Sequence, residues 1–160
     1  MDKHKKIEKL LWSIALPGFG QFLNKKYIKG ITLILLEFII NTNAHLNLII
    51  IYSFKGDIVR AIQTTDYHWL MFYPCLYMFG MWDAYKDAGI TTAYAYLPFV
   101  LGAFFGTVGL MYSDVLKIFG ILLGPVWLTM LLAFLGIFIG ILMYLWINKK
   151  APYTKEGPSG

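Results

Sequence analysis

A few polar side chains stand in apolar surroundings, and any chemistry would depend on them. Glu37 lies in the middle of the run ITLILLEFII, where an ionised carboxylate is costly unless it has a partner. We expect it to face protein, protonated or paired with Lys or Asn groups of the preceding segment, in a structural or a transport role. Gln21, in PGFGQ, carries both donors and an acceptor, and we expect it to bond backbone or Glu37.

Two aspartates and a histidine form a second candidate set. Asp83 and Asp87 in WDAYKDA are four residues apart, so on a helix they share a face and could bind a cation or shuttle a proton. Lys86 is near enough in sequence to pair with Asp83, and this favours the alternative of a charged helix end at a membrane interface. His68 follows Asp66 and could form a pH-sensitive pair with it, or be an ordinary interfacial histidine.

The sequence contains no familiar catalytic template. GxSxG, HExxH, P-loop and CxxC patterns are absent, the histidines lack metal-ligand spacing, and Cys75 is the single cysteine. We therefore predict no catalytic residue, no metal and no cofactor. The leading function is a non-enzymatic accessory or scaffold subunit that binds lipid or a membrane partner. The alternative is a small transporter or channel using Glu37, and a membrane-embedded enzyme is the second alternative.

Composition indicates an integral membrane protein. Hydrophobic residues make up 58% of the 160 residues and charged residues only 14%, against about 25% charge in a soluble domain. We predict one all-α transmembrane domain over residues 1–148 and a polar cytoplasmic tail over residues 149–160. About four helices should cross the bilayer, joined by an N-terminal re-entrant or interfacial hairpin and an outer amphipathic helix.

The four predicted spans are apolar runs that approach the length needed to cross a bilayer. Pro74 and Pro98 fall inside two of them and should bend those helices. The predicted ranges are Tyr27–Ala44, Tyr67–Ala84, Thr92–Tyr112 and Pro125–Ile147.

Charge favours a returning N-terminal segment. If Leu10–Leu23 enters and turns back, or lies flat, eleven lysines share one side and three basic residues the other; if it crosses, the split is seven to seven. Because cytoplasmic loops are enriched in Lys and Arg, we expect both termini to lie on the cytoplasmic side of a bacterial membrane. The eleven are Lys3, Lys5, Lys6, Lys9, Lys25, Lys26, Lys29, Lys86, Lys149, Lys150 and Lys155; the three are Lys55, Arg60 and Lys117.

The connection Leu46–Asp66 allows two interpretations. Its apolar residues recur at helical spacing with charged residues among them, which favours an amphipathic helix on the outer surface. The alternative is a first span that continues to Ile51. That alternative would bury a cluster of polar side chains between Asn41 and Asn47 in lipid, at a high cost.

Pairs of glycines at a spacing of four predict flat helix faces that a neighbouring helix can approach closely. These faces could pack within one protomer or form a homo-oligomer interface. The pairs are Gly102 and Gly106, Gly120 and Gly124, and Gly136 and Gly140.

The net charge of +5 lies mainly in lysines that flank the apolar runs. We expect Lys25, Lys26 and Lys29 to bind anionic lipid headgroups. The predicted partners are therefore the lipid bilayer and a second copy or another membrane protein, and we expect no nucleic acid.

The stretch PGFGQFLNKKYIKG resembles the start of the two-transmembrane-helix domain family of small membrane proteins, with a pattern P-G-x-G-Q-x-[YF]-N-x-x-x-x-x-G. Leu23 replaces the aromatic residue of that pattern, and WDAYKDA loosely resembles the family's later aspartate-containing turn. The resemblance covers about Leu10–Leu36 and implies a first hydrophobic segment that crosses, but no settled activity. The chain as a whole also resembles uncharacterised membrane proteins of Gram-positive bacteria. The matching residues are Pro17, Gly18, Gly20, Gln21, Asn24 and Gly30.

Overall fold

The computed structural model describes residues 3–89 and 92–150, and within this part the chain is mostly helical. The side chains of residues 3–6 and the last ten residues of the predicted tail lie outside the described part. The helices are α1 (Lys3–Ala15), α2 (Phe19–Leu23), α3 (Tyr27–Ala44), α4 (Leu46–Phe54), α5 (Ile58–Thr64), α6 (Tyr67–Leu70), α7 (Tyr73–Asp87), α8 (Leu97–Met111) and α9 (Gly124–Lys150). A short antiparallel hairpin, β1 (Lys117–Ile118) and β2 (Ile121–Leu122), joins α8 to α9.

The N-terminal segment forms a helical hairpin. Helix α1 ends at Ala15, the chain turns through Leu16–Gly18, and α2 begins at Phe19. Gly18 has a φ of 106°, a conformation that side chains other than glycine rarely adopt, and Pro17 has no backbone N–H with which to continue α1. Both arms contact α7. A break at PGFG is therefore where the sequence predicts it.

Helix α3 has the predicted bounds, but the connection after it is not the single helix that we favoured. The alternative of a longer first span stays open, with a bend inside it. His45 takes a left-handed conformation, with φ of 58°, and α4 continues from Leu46 at an angle of 64° to α3. Instead of one outer amphipathic helix there are two short helices, separated at Lys55–Gly56, and Asp57 caps the second by accepting the backbone N–H of Arg60. The prediction of a single helix was wrong because this cap starts a new one.

The prolines begin helices instead of bending them. A turn at Met71 and Phe72 divides the second predicted span into α6 and α7. Pro74 and Pro98 lie in the first turns of α7 and α8, where the missing N–H costs no intrahelical hydrogen bond. The expected bends are therefore wrong.

Helices α8 and α9 form a closely packed antiparallel pair. Gly102 and Gly106 on α8 and Gly136 and Gly140 on α9 are buried at this contact. A Cβ on Gly136 would overlap the Leu101 carbonyl and lie 2.9 Å from the Cβ of Phe105. These four glycines pack within the protomer, one of the two alternatives.

Gly120 and Gly124 do not form a helix face. Gly120, with φ of 82°, lies in the turn of the β-hairpin, and a Cβ there would meet nothing within 4 Å. Gly124, with φ of 74°, begins α9 beside Ile58. The prediction of a packing stripe was wrong here because strand β2 separates Gly120 from the start of α9, so the two glycines do not lie on one helix.

Gly140→Ala is expected to destabilise the protein by about 1–3 kcal/mol, the usual cost of overpacking. Its Cβ would lie 2.5 Å from Pro98 Cα and 2.7 Å from the Leu97 carbonyl oxygen, and neither backbone atom can move freely. Gly80→Ala is the matched control, because its nearest contact is Pro17 Cβ at 3.4 Å. Thermal unfolding in detergent should show a lower midpoint for Gly140→Ala alone; equal midpoints would mean that the α8–α9 contact is loose.

Within the described residues, α9 is the one continuous helix long and apolar enough to cross a membrane. Helix α3 with α4 makes a second if the bent pair counts as one span, and α8 is apolar but shorter. The apolar side chains of α9 point largely away from the protein: Phe134 is 63% exposed and Phe138 is 59% exposed. The all-α character agrees with the prediction, whereas four full-length spanning helices are not evident from length and composition.

Candidate functional site: the docked N-terminal hairpin

Gln21 fixes the hairpin to α7. Its side chain is fully buried, and its Nε2 donates to the Gly80 carbonyl oxygen at 2.8 Å and to Asp83 Oδ2 at 3.2 Å. Its Oε1 is buried and has no hydrogen-bond partner among the described residues. Gln21 therefore bonds backbone, as expected, but its second partner is Asp83 and not Glu37.

Asp83 is the centre of a polar cluster. Lys29 Nζ from α3 donates to Asp83 Oδ1 at 2.6 Å and to Asp87 Oδ2 at 2.9 Å. The two aspartates share a face, as their spacing predicts, but the cation between them is Lys29; the expected pairing of Asp83 with Lys86 was wrong, and Lys86 is exposed. The cluster thus holds the start of α3, the hairpin and the end of α7 together.

Small residues allow the backbones in this region to approach. A Cβ on Gly20 would overlap Ser13 Oγ and lie 2.6 Å from the Lys9 carbonyl oxygen and 2.8 Å from Ala84 Cβ. A Cβ on Gly18 would lie 2.7 Å from the carbonyl oxygen of Gly30. These contacts leave no room for a side chain at either position.

Two further hydrogen bonds complete the docking. Asn24 Nδ2 donates to the Ala84 carbonyl oxygen at 2.9 Å, and the Tyr77 hydroxyl donates to the carbonyl oxygen of Ile14. The first bond anchors the end of α2 and the second anchors the end of α1. Both arms of the hairpin are therefore bonded to one helix, α7.

Glu37 lies outside this cluster. It is 9% exposed, its Oε1 accepts the Tyr73 hydroxyl at 3.3 Å, and its Oε2 has no partner among the described residues. The expected Lys or Asn partner was wrong: Asn24 and Lys29 bond α7, and Lys25 and Lys26 are exposed. No group of three or more His, Cys, Asp or Glu side chains in the described ranges could hold a metal ion.

His68 does not form its predicted pair with Asp66 through the imidazole. Asp66 Oδ1 accepts the backbone N–H groups of His68 at 3.0 Å and Trp69 at 3.3 Å, and the His68 side chain is exposed. Asp66 is therefore the N-cap of α6. Its carboxylate accepts hydrogen bonds from backbone N–H groups at the start of α6 and not from the His68 imidazole.

Basic residues collect at two opposite ends of the helices. The Thr92 and Tyr144 hydroxyls lie 2.7 Å apart, so the last turns of α9, with exposed Lys149 and Lys150, lie near the end of α7. At the other end Trp127 Nε1 donates to the Ser53 carbonyl oxygen at 3.1 Å, close in sequence to Lys55. Of the three proposed headgroup-binding lysines, Lys25 and Lys26 are exposed, whereas Lys29 is engaged by the aspartates.

Sequence reasoning missed Tyr73 and Tyr77 and the role of Lys29. The tyrosines are four residues apart on α7 and so share a face, a spacing that could have indicated a row of polar side chains along the helix.

Comparison of the chain with protein-family models, with curated proteins and with solved structures finds no match. The site must therefore be interpreted from its own geometry.

Proposed function

We propose that this chain is a non-enzymatic integral membrane protein, an accessory or scaffold subunit that binds lipid or a membrane partner. In this proposal the protein lies in a bacterial cytoplasmic membrane with both termini on the cytoplasmic side. The N-terminal hairpin enters the bilayer from that side and returns. The observation that carries the proposal is the docking of the hairpin on α7 through Gln21, Asn24 and Tyr77.

The exposed apolar surface supports a membrane location. In water, a long helix that is apolar on all sides would be buried in a core; only 17% of the apolar window of α9 is buried. Contiguous exposed apolar surface of this kind is normally covered by lipid or protein. The side chains that would face lipid on α9 include Leu131, Phe134, Leu135, Phe138, Leu142 and Leu145.

Four crossings are proposed, by α3, α7, α8 and α9. Helices α7 and α8 have 15 residues each and rise about 22 Å, less than the roughly 30 Å of a bilayer's hydrocarbon core. The turns before each helix, α6 and residues 92–96, extend the two crossings, and local thinning of the bilayer can accommodate the remainder.

Hydrogen bonds between the hairpin and α7 support a hairpin that returns to its own side of the membrane instead of crossing it. Polar groups inside lipid need protein partners. Helix α7 supplies them: Gly80 and Asp83 accept from the Gln21 side chain, Ala84 accepts from Asn24, and Tyr77 donates to the backbone carbonyl of Ile14. Gly80, Asp83 and Ala84 lie in the last two turns of α7, so the hairpin occupies the end of the bundle near the lysines. The proposed topology places eleven lysines on that side.

The resemblance to the two-transmembrane-helix domain family remains a proposal for the hairpin alone. Pro17, Gly18, Gly20, Gln21 and Asn24 all lie at the contact with α7 or in the turn that leads to it. We propose that such a motif is selected for docking one apolar segment on another. The crossing topology implied by the resemblance is not part of this proposal.

Transport through Glu37 is the second candidate, favoured by its buried and unpartnered Oε2. In liposomes, we expect the unchanged protein and Glu37→Gln to show the same background flux of ions and protons. The reason is that the neighbours of Glu37, Tyr73 and Tyr77, belong to an apolar wall. The melting temperature of Glu37→Gln should stay within a few degrees, since the amide can still accept from Tyr73. Tyr73→Phe is the control that removes the donor. A flux that the unchanged protein supports and Glu37→Gln abolishes would establish the transport function instead.

Native mass spectrometry from lipid nanodiscs tests the accessory function. We expect the chain to retain lipid or a second membrane protein through detergent removal and the gas phase. Purification of a bare chain that carries neither would contradict the proposal.

A further inference from the structure

We propose that an elongated apolar cavity between the N-terminal hairpin, α7 and α9 binds one long acyl or isoprenyl chain of a membrane lipid. The inference rests on the proposed function in one respect, that the protein lies in a bilayer. It adds a defined site and a ligand class to that function.

The cavity has the size of a ligand site. Its volume is about 480 Å³, within the roughly 300–1,000 Å³ of small-molecule pockets. Almost all its lining side chains are apolar. The floor comes from Met78 and Met81 of α7, and one wall from Val126, Thr129, Ala133 and Ile137 of α9.

The shape is long and narrow. Lining residues on α9 run from Pro125 to Ile137, a rise of about 18 Å along a helix. Leu46, Leu70 and Leu110 close the end remote from the lysines, and Ile14 of the hairpin borders the other end. A flexible hydrocarbon chain has these proportions.

The opening faces sideways. Four of the lining side chains, Ile14, Ile50, Met130 and Phe134, are also exposed, and they come from α1, α4 and α9. Their position along the flank of the bundle places the mouth against hydrocarbon in the proposed topology. A lipid chain can enter from the bilayer without passing through water.

Water fits this cavity less well. A cavity walled by apolar side chains stays dry, and the Tyr73 and Tyr77 hydroxyls in the wall are already bonded to Glu37 and to the Ile14 carbonyl oxygen. Thr129 Oγ1 is the one other polar side-chain atom in the wall, and it has no partner among the described residues. Because the rest of the lining is apolar, recognition is by shape and apolar contact.

Photolabelling of the unchanged protein tests the site. The probe is a phosphatidylcholine with a diazirine in the middle of one acyl chain, mixed into vesicles of phosphatidylethanolamine and phosphatidylglycerol. A parallel experiment uses a polyprenyl phosphate that carries a diazirine, to test for an isoprenyl chain. With either probe, we expect adducts on the wall residues Met78 and Thr129 as well as on the outward-facing Leu131 and Leu135. The probe that labels Met78 more strongly identifies the lipid class.

Adducts on Leu131 and Leu135 alone would overturn the cavity site and leave the membrane location standing. If no residue of the chain is labelled, both the cavity site and the membrane location are overturned. Labelling of Met78 that falls as the protein-to-lipid ratio rises would assign the cavity to a second copy of the chain and overturn the lipid proposal.

A filling variant provides the matched comparison. Thr129→Phe projects a ring into the cavity and should reduce Met78 labelling by about tenfold, with Leu135 labelling unchanged. Leu131→Phe adds an aromatic ring on the outer side of the same helix and should change neither. Thr129→Val keeps the shape without the hydroxyl and should label as the unchanged protein does. Unaltered Met78 labelling in a folded Thr129→Phe protein would overturn the proposal, and if that variant fails to fold, labelling of the unchanged protein decides.

Discussion

Gly20→Leu is expected to abolish stable folding of the N-terminal hairpin, with a loss of about 3 kcal/mol or more. Any Cβ at this position overlaps Ser13 Oγ and lies 2.6 Å from the Lys9 carbonyl oxygen. Overpacking against backbone cannot be relieved by a rotamer change and exceeds the usual penalty of about 1–3 kcal/mol. Thermal unfolding in detergent, with proteolysis of the first 25 residues as a local probe, measures the effect.

Phe19→Leu is the matched control for that experiment. Phe19 is 41% exposed and contacts Trp12 and Phe22 through ring edges, so its loss should cost about 1 kcal/mol or less. If both variants melt at the same temperature, Gly20 is not in close contact with α1 and α7, and the hairpin merely lies on the surface.

Asp83→Ala is expected to destabilise the protein by about 2 kcal/mol. Its side chain is 11% exposed and accepts from both Gln21 and Lys29, and a hydrogen bond to a charged group contributes about 1.5–3 kcal/mol. The estimate stays low because Lys29 is 47% exposed and solvent screens its part of the pair. The expected fall in melting temperature is about 4–8 °C.

A double-mutant cycle separates the ion pair from the remaining contacts. Lys29→Met with Asp83→Ala should show a coupling of about 1 kcal/mol. Lys86→Met with Asp83→Ala should show none, because Lys86 is on the exposed face of α7. Coupling to Lys86 instead of Lys29 would mean that the start of α3 is not held by α7.

Long apolar runs and the glycine-proline break could be predicted from the sequence. Helix α3 has the predicted bounds, and α9 is Gly124–Lys150 against a prediction of Pro125–Ile147, because these segments have few polar residues to compete with a helix. The turn at Leu16–Gly18 was also predictable, since Pro17 ends one helix and Gly18 supplies the positive φ.

The geometry of two breaks was not predictable from the sequence. His45 adopts a left-handed conformation, in which histidine is enriched among residues other than glycine. The polar cluster between Asn41 and Asn47 marks the region, but the sequence does not give the 64° angle of the bend. The turn at Met71 and Phe72 comes just before Pro74, which marks a helix start, but the sequence does not show that the chain turns there instead of bending. In both places the break agrees with local preference, and its angle depends on where the flanking helices pack.

The polar residues of the candidate site could be predicted from the sequence, but one of their partners could not. Gln21, Asp83 and Asp87 were identified by their polarity in apolar surroundings. Lys29, however, is 54 residues from Asp83 along the chain, and Lys86, three residues away, was the nearer partner in sequence. Partners across a fold follow from helix placement, which composition and spacing do not specify.

Cysteine accessibility at position 25 tests the central claim that the N-terminal segment enters and returns on the lysine-rich side. On a Cys75→Ser background, Lys25→Cys and Lys117→Cys are treated in intact cells with a membrane-impermeant maleimide. We predict that Lys117→Cys is labelled at once and that Lys25→Cys is labelled only after permeabilisation. Labelling of Lys25→Cys from outside intact cells would show that Leu10–Leu23 crosses the membrane and would contradict the proposed topology.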